Sequence, residues 1–408
     1  MGMYIESLHV ENVGPFIRLD ARFNPQMNVI IGVNGVGKTS MLRCITSCMT
    51  NNHMENIRLR QNAMLKLNCR IGGKGVTYGA DQLVNKDQDY RKFDPNNWNV
   101  TPADGYEKKT IYEDKVYNLL AIGAYRYFPY KLMDGMKREA PRSERRKLYL
   151  RENPNYLESM AMPDIKQWMV NRYFQIDKDW AGIERENWNK VMSNLQLIAP
   201  RESEFKFVKI ERDLEPIFQL NGSQCYLEEL SSGFKSILSL VFTIVDWIEG
   251  INEGNSAMID KAIGTVLIDE IDAHLHPSWQ MTILESMRKL FPKIQFVVTT
   301  HSPNVIMSAK PGEIMMFKNN DGVVNLAPDR RSFGAWKVTD VMTDVMQSPL
   351  ADYVSISDAI EEINKAYEQR DLGRYRQVLE YLRGVLNPND SILKVYNIRL
   401  SELTLRND

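Results

Sequence analysis

The chain has 408 residues, 43% of them hydrophobic and 25% charged, proportions ordinary for a folded globular protein and foreign to a disordered one. Its length allows two or three domains at about 150 residues each. Fifty-one Lys and Arg against 52 Asp and Glu leave a net charge of -1, so any contact with nucleic acid must come from a local patch and not from bulk charge.

The opening MGMYIESLHVENVG has neither a basic start nor an apolar run, so no export signal is expected and the chain is assigned to the cytoplasm. Ile5, Leu8 and Val10, then Ile17, Leu19, Ala21 and Phe23, alternate with polar residues. This predicts an antiparallel strand pair around Gly14-Pro15. Val29, Ile30 and Ile31 form a continuous apolar run, as in a strand covered on both faces. A glycine-rich loop follows, then a helix from Thr39 to about Met49. Cys44 and Cys48 lie four apart on that helix. They read as buried small residues, or as a metal pair if two further ligands lie near; with Cys69 and Cys225 they suggest reduced thiols.

Residues 50–110 are polar and carry no clear period. A strand is expected from Leu119 to Tyr127, ending near Arg126, and mostly helix over 131–200. Strands return at Phe205 to Ile210 and Ile217 to Tyr226, the second broken by an Asn221-Gly222 turn. Ser231, Ser232 and Gly233 open an apolar helix whose run from Ile237 to Ile248 is too short to span a bilayer. Val266 to Ile268 and Phe296 to Val298 are buried-strand runs, separated by a helix from Trp279 to Leu290. Ile314 to Phe317 and Val323 to Leu326 flank a hairpin signal. The tail is helical, with stripes Ile360, Ile363, Tyr367 and Val378, Leu379, Leu382, Val385, Leu386, the second helix ending at Asn387-Pro388.

Gly32, Val33, Asn34, Gly35, Val36, Gly37, Lys38 and Thr39 match the pattern G-x-x-x-x-G-K-[ST], between a buried strand and a helix. Glycines let the backbone wrap phosphates and the helix N-terminus favours an anion. Lys38 reaches the β- and γ-phosphates, and the Thr39 hydroxyl suits Mg²⁺. Gly32, Asn34, Gly35, Val36, Gly37, Lys38, Thr39 and Ser40 are the expected nucleotide-binding residues. The strand Val266 to Ile268 ends in Asp269 and Glu270; two acids after a buried strand are costly unless they bind something. Asp269 is placed for the Mg²⁺ shell with Thr39, and Glu270 to activate water, the alternative being that both cap the next helix.

Leu230, Ser231, Ser232, Gly233 and Phe234 then resemble the signature of the ATP-binding-cassette superfamily, which includes SMC, RecF and OLD-type ATPases. Ser232 stands where the first glycine usually is and Phe234 where Gln is usual; a serine N-cap is the other reading. Val298, Thr299, Thr300, His301, Ser302 and Pro303 resemble the segment of the switch histidine, so His301 joins Lys38 and Glu270 as a catalytic residue. Asp272, with His274 and His276, resembles the loop that crosses a dimer interface; a His/Asp metal cluster is the competing idea. The position of the family's Gln loop stays open.

GVNGVGKTS, EELSSGFKS, LIDEIDAHLHP, VVTTHSP and the block from Ser332 to Met346 are similar to the OLD-like AAA-type ATPases of bacterial anti-phage systems, above all those of Septu and Septu-like retrons. The resemblance implies an α/β fold, a P-loop ABC-type ATPase head with an N-terminal antiparallel β portion. Lobes 1–130 and 203–330 would surround a helical insertion, 131–202, with a helical appendage at 331–408. It further implies hydrolysis of ATP with Mg²⁺, a homodimer or higher homo-oligomer in which Ser231, Ser232 and Gly233 close on the partner's nucleotide, and a separate nuclease subunit of HNH type. No membrane contact is implied, and nucleic-acid binding stays open. A RecF- or SMC-like DNA-repair ATPase is the alternative, and a scaffold with dead sites a third. The run Lys137, Arg138, Arg142, Arg145, Arg146, Lys147 and Arg151 reads as a solvated face or as a phosphate or partner contact.

Overall fold

The computed structural model describes residues 2–50, 59–83, 99–102, 118–126, 130–158, 164–200, 202–346, 351–386 and 390–407. The chain divides into two compact units, Met1–Val341 and Met342–Asp408.

In the first unit, alternation in the opening residues gives β1 (Met3–Val13) and β2 (Phe16–Arg22), paired antiparallel with Leu8 opposite Ala21. β3 (Met27–Ile31) is buried along its length and leads through the glycine loop into α1 (Lys38–Thr50). The stretch without a clear period holds β4 (Leu59–Ile71), β5 (Lys74–Leu83) and β6 (Asn99–Pro102). Its period is in fact two: Ala63, Leu65, Leu67, Cys69 and Ile71 face the core while Lys66, Asn68 and Arg70 between them do not. The polar half of a half-buried strand masks it in composition.

These strands join a seven-stranded sheet, completed by β14 (Asn319–Asn320) and β15 (Val323–Leu326). The expected hairpin is thereby corrected. Its turn is present, but the partner of β15 within it is the two-residue β14, whereas β13 (Ile314–Met316) lies in another sheet. The reason is burial: β13 is apolar on both faces and runs parallel to β3.

That second sheet has six strands in the order β16-β13-β3-β12-β11-β7, where β7 is Leu119–Ile122, β11 Gly264–Ile268, β12 Ile294–Thr300 and β16 Pro328–Asp329. All neighbours are parallel except β16 on β13. The expected strand to Tyr127 stops at Ile122, because Gly123 turns away to bond Tyr156 O instead of continuing the ladder. Met41, Leu42, Cys44, Ile45 and Cys48 of α1 share one core with residues of both large sheets, which accounts for the two cysteines as buried free thiols. Buried Gln295 ties the sheets together: it accepts from Ile5 N at 2.7 Å and from Thr265 Oγ1 at 2.8 Å, and donates to Ile5 O and Asn24 O.

Three helices cover 142–157, 165–175 and 182–193: α2 (Arg142–Leu157), α3 (Ile165–Gln175) and α4 (Gly182–Ser193). They gather around α5 (Ser232–Ile251), which is buried nearly all round, as a helix without a polar face must be. Trp168 packs on Phe242 and Trp188. Arg145, from the basic run, is half-withdrawn from solvent and holds Asp246 on α5, and Arg146 donates to Ile251 O. Part of that run is therefore an internal seam and neither a solvated face nor a free patch. β8 (Phe205–Ile210), β9 (Pro216–Leu220) and β10 (Ser223–Tyr226) form a third, antiparallel sheet as predicted.

The expected helix Trp279 to Leu290 is two: α6 (Pro277–Gln280) and α7 (Ile283–Leu290), broken where Thr282 donates back to Trp279 O. The second unit comprises α9 (Ala351–Glu368), α10 (Leu372–Val385) and α11 (Ser391–Asn407), with α8 (Pro303–Ser308) preceding them in the first unit. Ile363, Tyr375, Leu379, Leu382 and Tyr396 form its core; Val385, assigned to a stripe, is 44% exposed because it ends its helix. The Asn387-Pro388 stop lies outside the described residues. Among the described residues no helix is long and apolar enough to cross a membrane.

Candidate functional site

The site lies at the C-terminal ends of three adjacent strands, β3, β12 and β11. Register places Thr299 opposite Ile30 and Ile268 opposite Val298, so Asp269 emerges beside Thr299. A cavity of about 460 Å³ opens there, lined by Asn34, Gly35, Gly37, Lys38, Thr39, Ser40, Asp269, Glu270, Thr299 and His301. Parallel strands deliver their C-terminal ends to one edge, which is where open α/β sheets bind ligands.

Gly37 has φ +112°, and a Cβ there would lie 2.9 Å from the Phe16 ring, so the loop can close only on glycine. Lys38 opens α1, and its ammonium donates to Gly32 O at 2.8 Å and Val33 O at 3.0 Å. Burial pushes Lys38 down to about 8, against the pull of Asp269, Glu270 and Asp272. Gly32 and Val36 do not line the cavity. Gly32 supplies a carbonyl to Lys38, and Val36 packs on the core while its carbonyl accepts from Asn319.

Thr39 Oγ1 donates to Asp269 Oδ2 at 2.8 Å, and Thr299 Oγ1 donates to Asp269 Oδ1 at 2.5 Å. A hydroxyl and a carboxylate side by side are hard oxygen donors of the kind Mg²⁺ takes, and they fit that ion. Glu270 sits at φ +48°, in the left-handed region, and burial with Asp269 and Asp272 nearby raises its carboxyl above the usual range. His301 is half-buried, and burial together with Lys38 lowers it. Asp272 accepts from Thr300 Oγ1 at 2.5 Å, which places it just behind the His301 strand end.

The signature segment is elsewhere. Ser231 and Ser232 are exposed and, with Gly233, are not among the residues lining the cavity. Ser231 occupies the N-cap position of α5 but its side chain makes no capping bond. At Gly233 an added Cβ would meet the Trp279 ring at 2.4 Å, a close approach only glycine permits. His274 and His276 are exposed, and His276 caps α6; among the described residues no group of three or more His, Cys, Asp or Glu could hold a metal ion.

Arg126 is the residue whose place the sequence did not reveal. It is 3% exposed and lies beneath the acid pair, not in the cavity lining. Its Nη2 donates to Asp269 O at 2.5 Å and Glu270 O at 3.0 Å, its Nε to Gly123 O at 3.0 Å, and its Nη1 reaches Ser236 Oγ on α5 at 3.4 Å. Burial pushes it down to about 10, which leaves it charged at neutral pH. A lone arginine past a short strand carries no local motif, so its seat under the acid pair is not legible in the sequence.

The AAA_15 family, an AAA ATPase domain, matches residues 149–306, which include Ser231, Asp269, Glu270 and His301. The chain is 24% identical to the Septu protein PtuA of Bacillus thuringiensis over 98% of both chains. It is 30% identical to the retron Ec83 probable ATPase of Escherichia coli, over 54% of this chain and 38% of that protein. Among solved structures, the Smc head domain of Pyrococcus furiosus bound to the C-terminal domain of ScpA aligns with a TM-score of 0.48 at 14% identity, over 84% of this chain and 99% of that one. The chain is an ATPase, similar to the Septu protein PtuA and to a probable ATPase of a retron, as the motifs led us to expect.

Proposed function

We propose that this chain is the ATP-driven switch of a cytoplasmic anti-phage defence complex, pairing with a second copy around ATP and controlling a separate nuclease, by likeness of HNH type. The observation that carries this reading is the split of the ATPase parts. Lys38, Thr39, Asp269, Glu270 and His301 converge on one cavity, while Ser231 and Gly233 stand outside it. An exposed serine at the head of a 20-residue helix is an anion donor in want of an anion, and a second copy's γ-phosphate supplies one.

Thr39 and Asp269 would hold Mg²⁺, which when bound neutralises charge on the phosphoryl oxygens. Lys38 binds the β- and γ-phosphates. Glu270 orients the attacking water and takes its proton, a role its raised carboxyl suits. His301 contacts the γ-phosphate, and Asp272 belongs to the interface loop. Loss of that phosphate removes the bridging contacts and loosens the pair. The working lobes are 1–130 and 203–330, with 131–202 inserted and 331–408 appended.

The test joins chemistry to partner. Glu270→Gln should bind ATP normally and turn over about 10²–10⁴ times more slowly. Expressed with the neighbouring nuclease, the wild type should co-purify with it and the ATP-locked variant should change its activity. Unchanged turnover would remove Glu270 from its role, and DNA-stimulated ATPase without a nuclease partner would favour a repair function.

A further inference from the structure

We propose that Arg126 is a positioning residue for ATP hydrolysis, holding the acid pair through its backbone and tying it to the helix that Ser231 heads. The inference rests on the ATPase reading and extends it. The guanidinium is buried, and its planar fork meets two consecutive carbonyls, those of Asp269 and Glu270, from one nitrogen. The backbone N–H groups of the same two residues are held by the flanking strands: Glu270 N donates to Thr299 Oγ1 on β12 at 2.8 Å, Asp269 N to Ile122 O on β7 at 2.8 Å.

Such clamping has a reason in the backbone. Glu270 adopts φ +48°, a conformation a non-glycine residue keeps only where its surroundings over-determine it. Without Arg126 the peptide is free to relax, and the Glu270 carboxyl moves with it. The remaining bond runs to α5. Ser236 Oγ, which accepts from Arg126 Nη1, donates to Ala273 O at 3.1 Å, in the loop after the acid pair. Ser236 is five residues from Ser231, so a shift at the head of α5 reaches the carbonyls of Asp269 and Glu270 through two side chains. Lysine cannot reproduce this, since a point charge replaces the fork.

The experiment measures steady-state ATPase and binding of a fluorescent non-hydrolysable ATP analogue for wild type, Arg126→Lys, Arg126→Met and Ser236→Ala. Displacement of the acid pair by a fraction of an ångström predicts that kcat falls about 10²-fold in Arg126→Met and about tenfold in Arg126→Lys, while KM and analogue affinity stay within about threefold. Ser236→Ala should lower kcat by about threefold at unchanged affinity. An undiminished kcat in Arg126→Met, or a loss in which affinity falls as far as kcat, overturns the proposal. Should Arg126→Met not fold, an unchanged kcat in both Arg126→Lys and Ser236→Ala overturns it. A wild type that neither binds the analogue nor hydrolyses ATP overturns the ATPase reading itself, and the proposal with it.

Discussion

Thr299 serves both members of the acid pair at once: its hydroxyl donates to Asp269 Oδ1 at 2.5 Å and accepts the backbone N–H of Glu270 at 2.8 Å. Thr39 approaches the same carboxylate from the other side, at Oδ2. Asp269 is thus oriented by two threonines, one from each flanking strand or helix, before any ligand is considered. A carboxylate oriented in this way loses little freedom on meeting a cation.

Thr299→Val keeps the shape and removes the hydroxyl. Orienting partners of a metal ligand are worth about 10–100-fold in metal affinity or activity. We expect the Mg²⁺ concentration for half-maximal ATPase to rise by that order, with the fold retained by circular dichroism. An unaltered Mg²⁺ dependence would show that Thr299 only supports the backbone.

Ser231→Arg places a bulky cation at the exposed head of α5, outside the cavity. Nucleotide affinity should be unchanged, ATP-dependent pairing in size-exclusion chromatography with light scattering should vanish, and turnover should fall about 10²-fold, the scale for losing an anion donor. Normal hydrolysis by this variant contradicts a site completed in trans.

Arg172 is the central cation of the helical seam. It is 2% exposed and paired with Glu139 and with Glu249, which Asn187 also holds. Arg172→Met leaves Glu249 buried without its cation, and urea unfolding should show a loss of about 3–5 kcal/mol. A loss under 1 kcal/mol would mean that water or a second cation replaces it.

The two glutamates of that seam respond oppositely to pH. Burial raises Glu139, but Arg172 outweighs it and holds the carboxyl below its ordinary value; for Glu249 full burial outweighs Arg172 and raises it. A lowered carboxyl stabilises the fold above its unfolded value, and that contribution is lost as pH falls through the folded one. The Tm difference between wild type and Glu139→Gln should be full at neutral pH and shrink as pH drops below about 4.5. A difference that grows on acidification would reverse the assignment. Glu249 contributes with the opposite sign, so the same scan on Glu249→Gln should show its relative gain as pH rises.

Much of the site could be read directly because its parts are contiguous. Gly32 to Thr39 carry a loop, a lysine and a hydroxyl in eight positions, and Val266 to Glu270 a buried strand with its acids in five. The strands from Leu59 onward were missed because their outer faces are polar and dilute the apolar period. The turn at Asn319 is legible in the sequence and the partner of β15 is not, because turn chemistry is local while the choice of partner strand is set by burial.

Chain-local chemistry was enough for the phosphate loop, the acid pair and the covered strands, since steric demands on glycine and the cost of stranding a charge operate within a few residues. The neighbour order β3-β12-β11, the approach of Trp279 to Gly233 and the seat of Arg126 under Asp269 required the folded molecule. Each joins residues dozens to hundreds of positions apart, and such contacts depend on how whole sheets close over a common core, which no short window of side chains encodes.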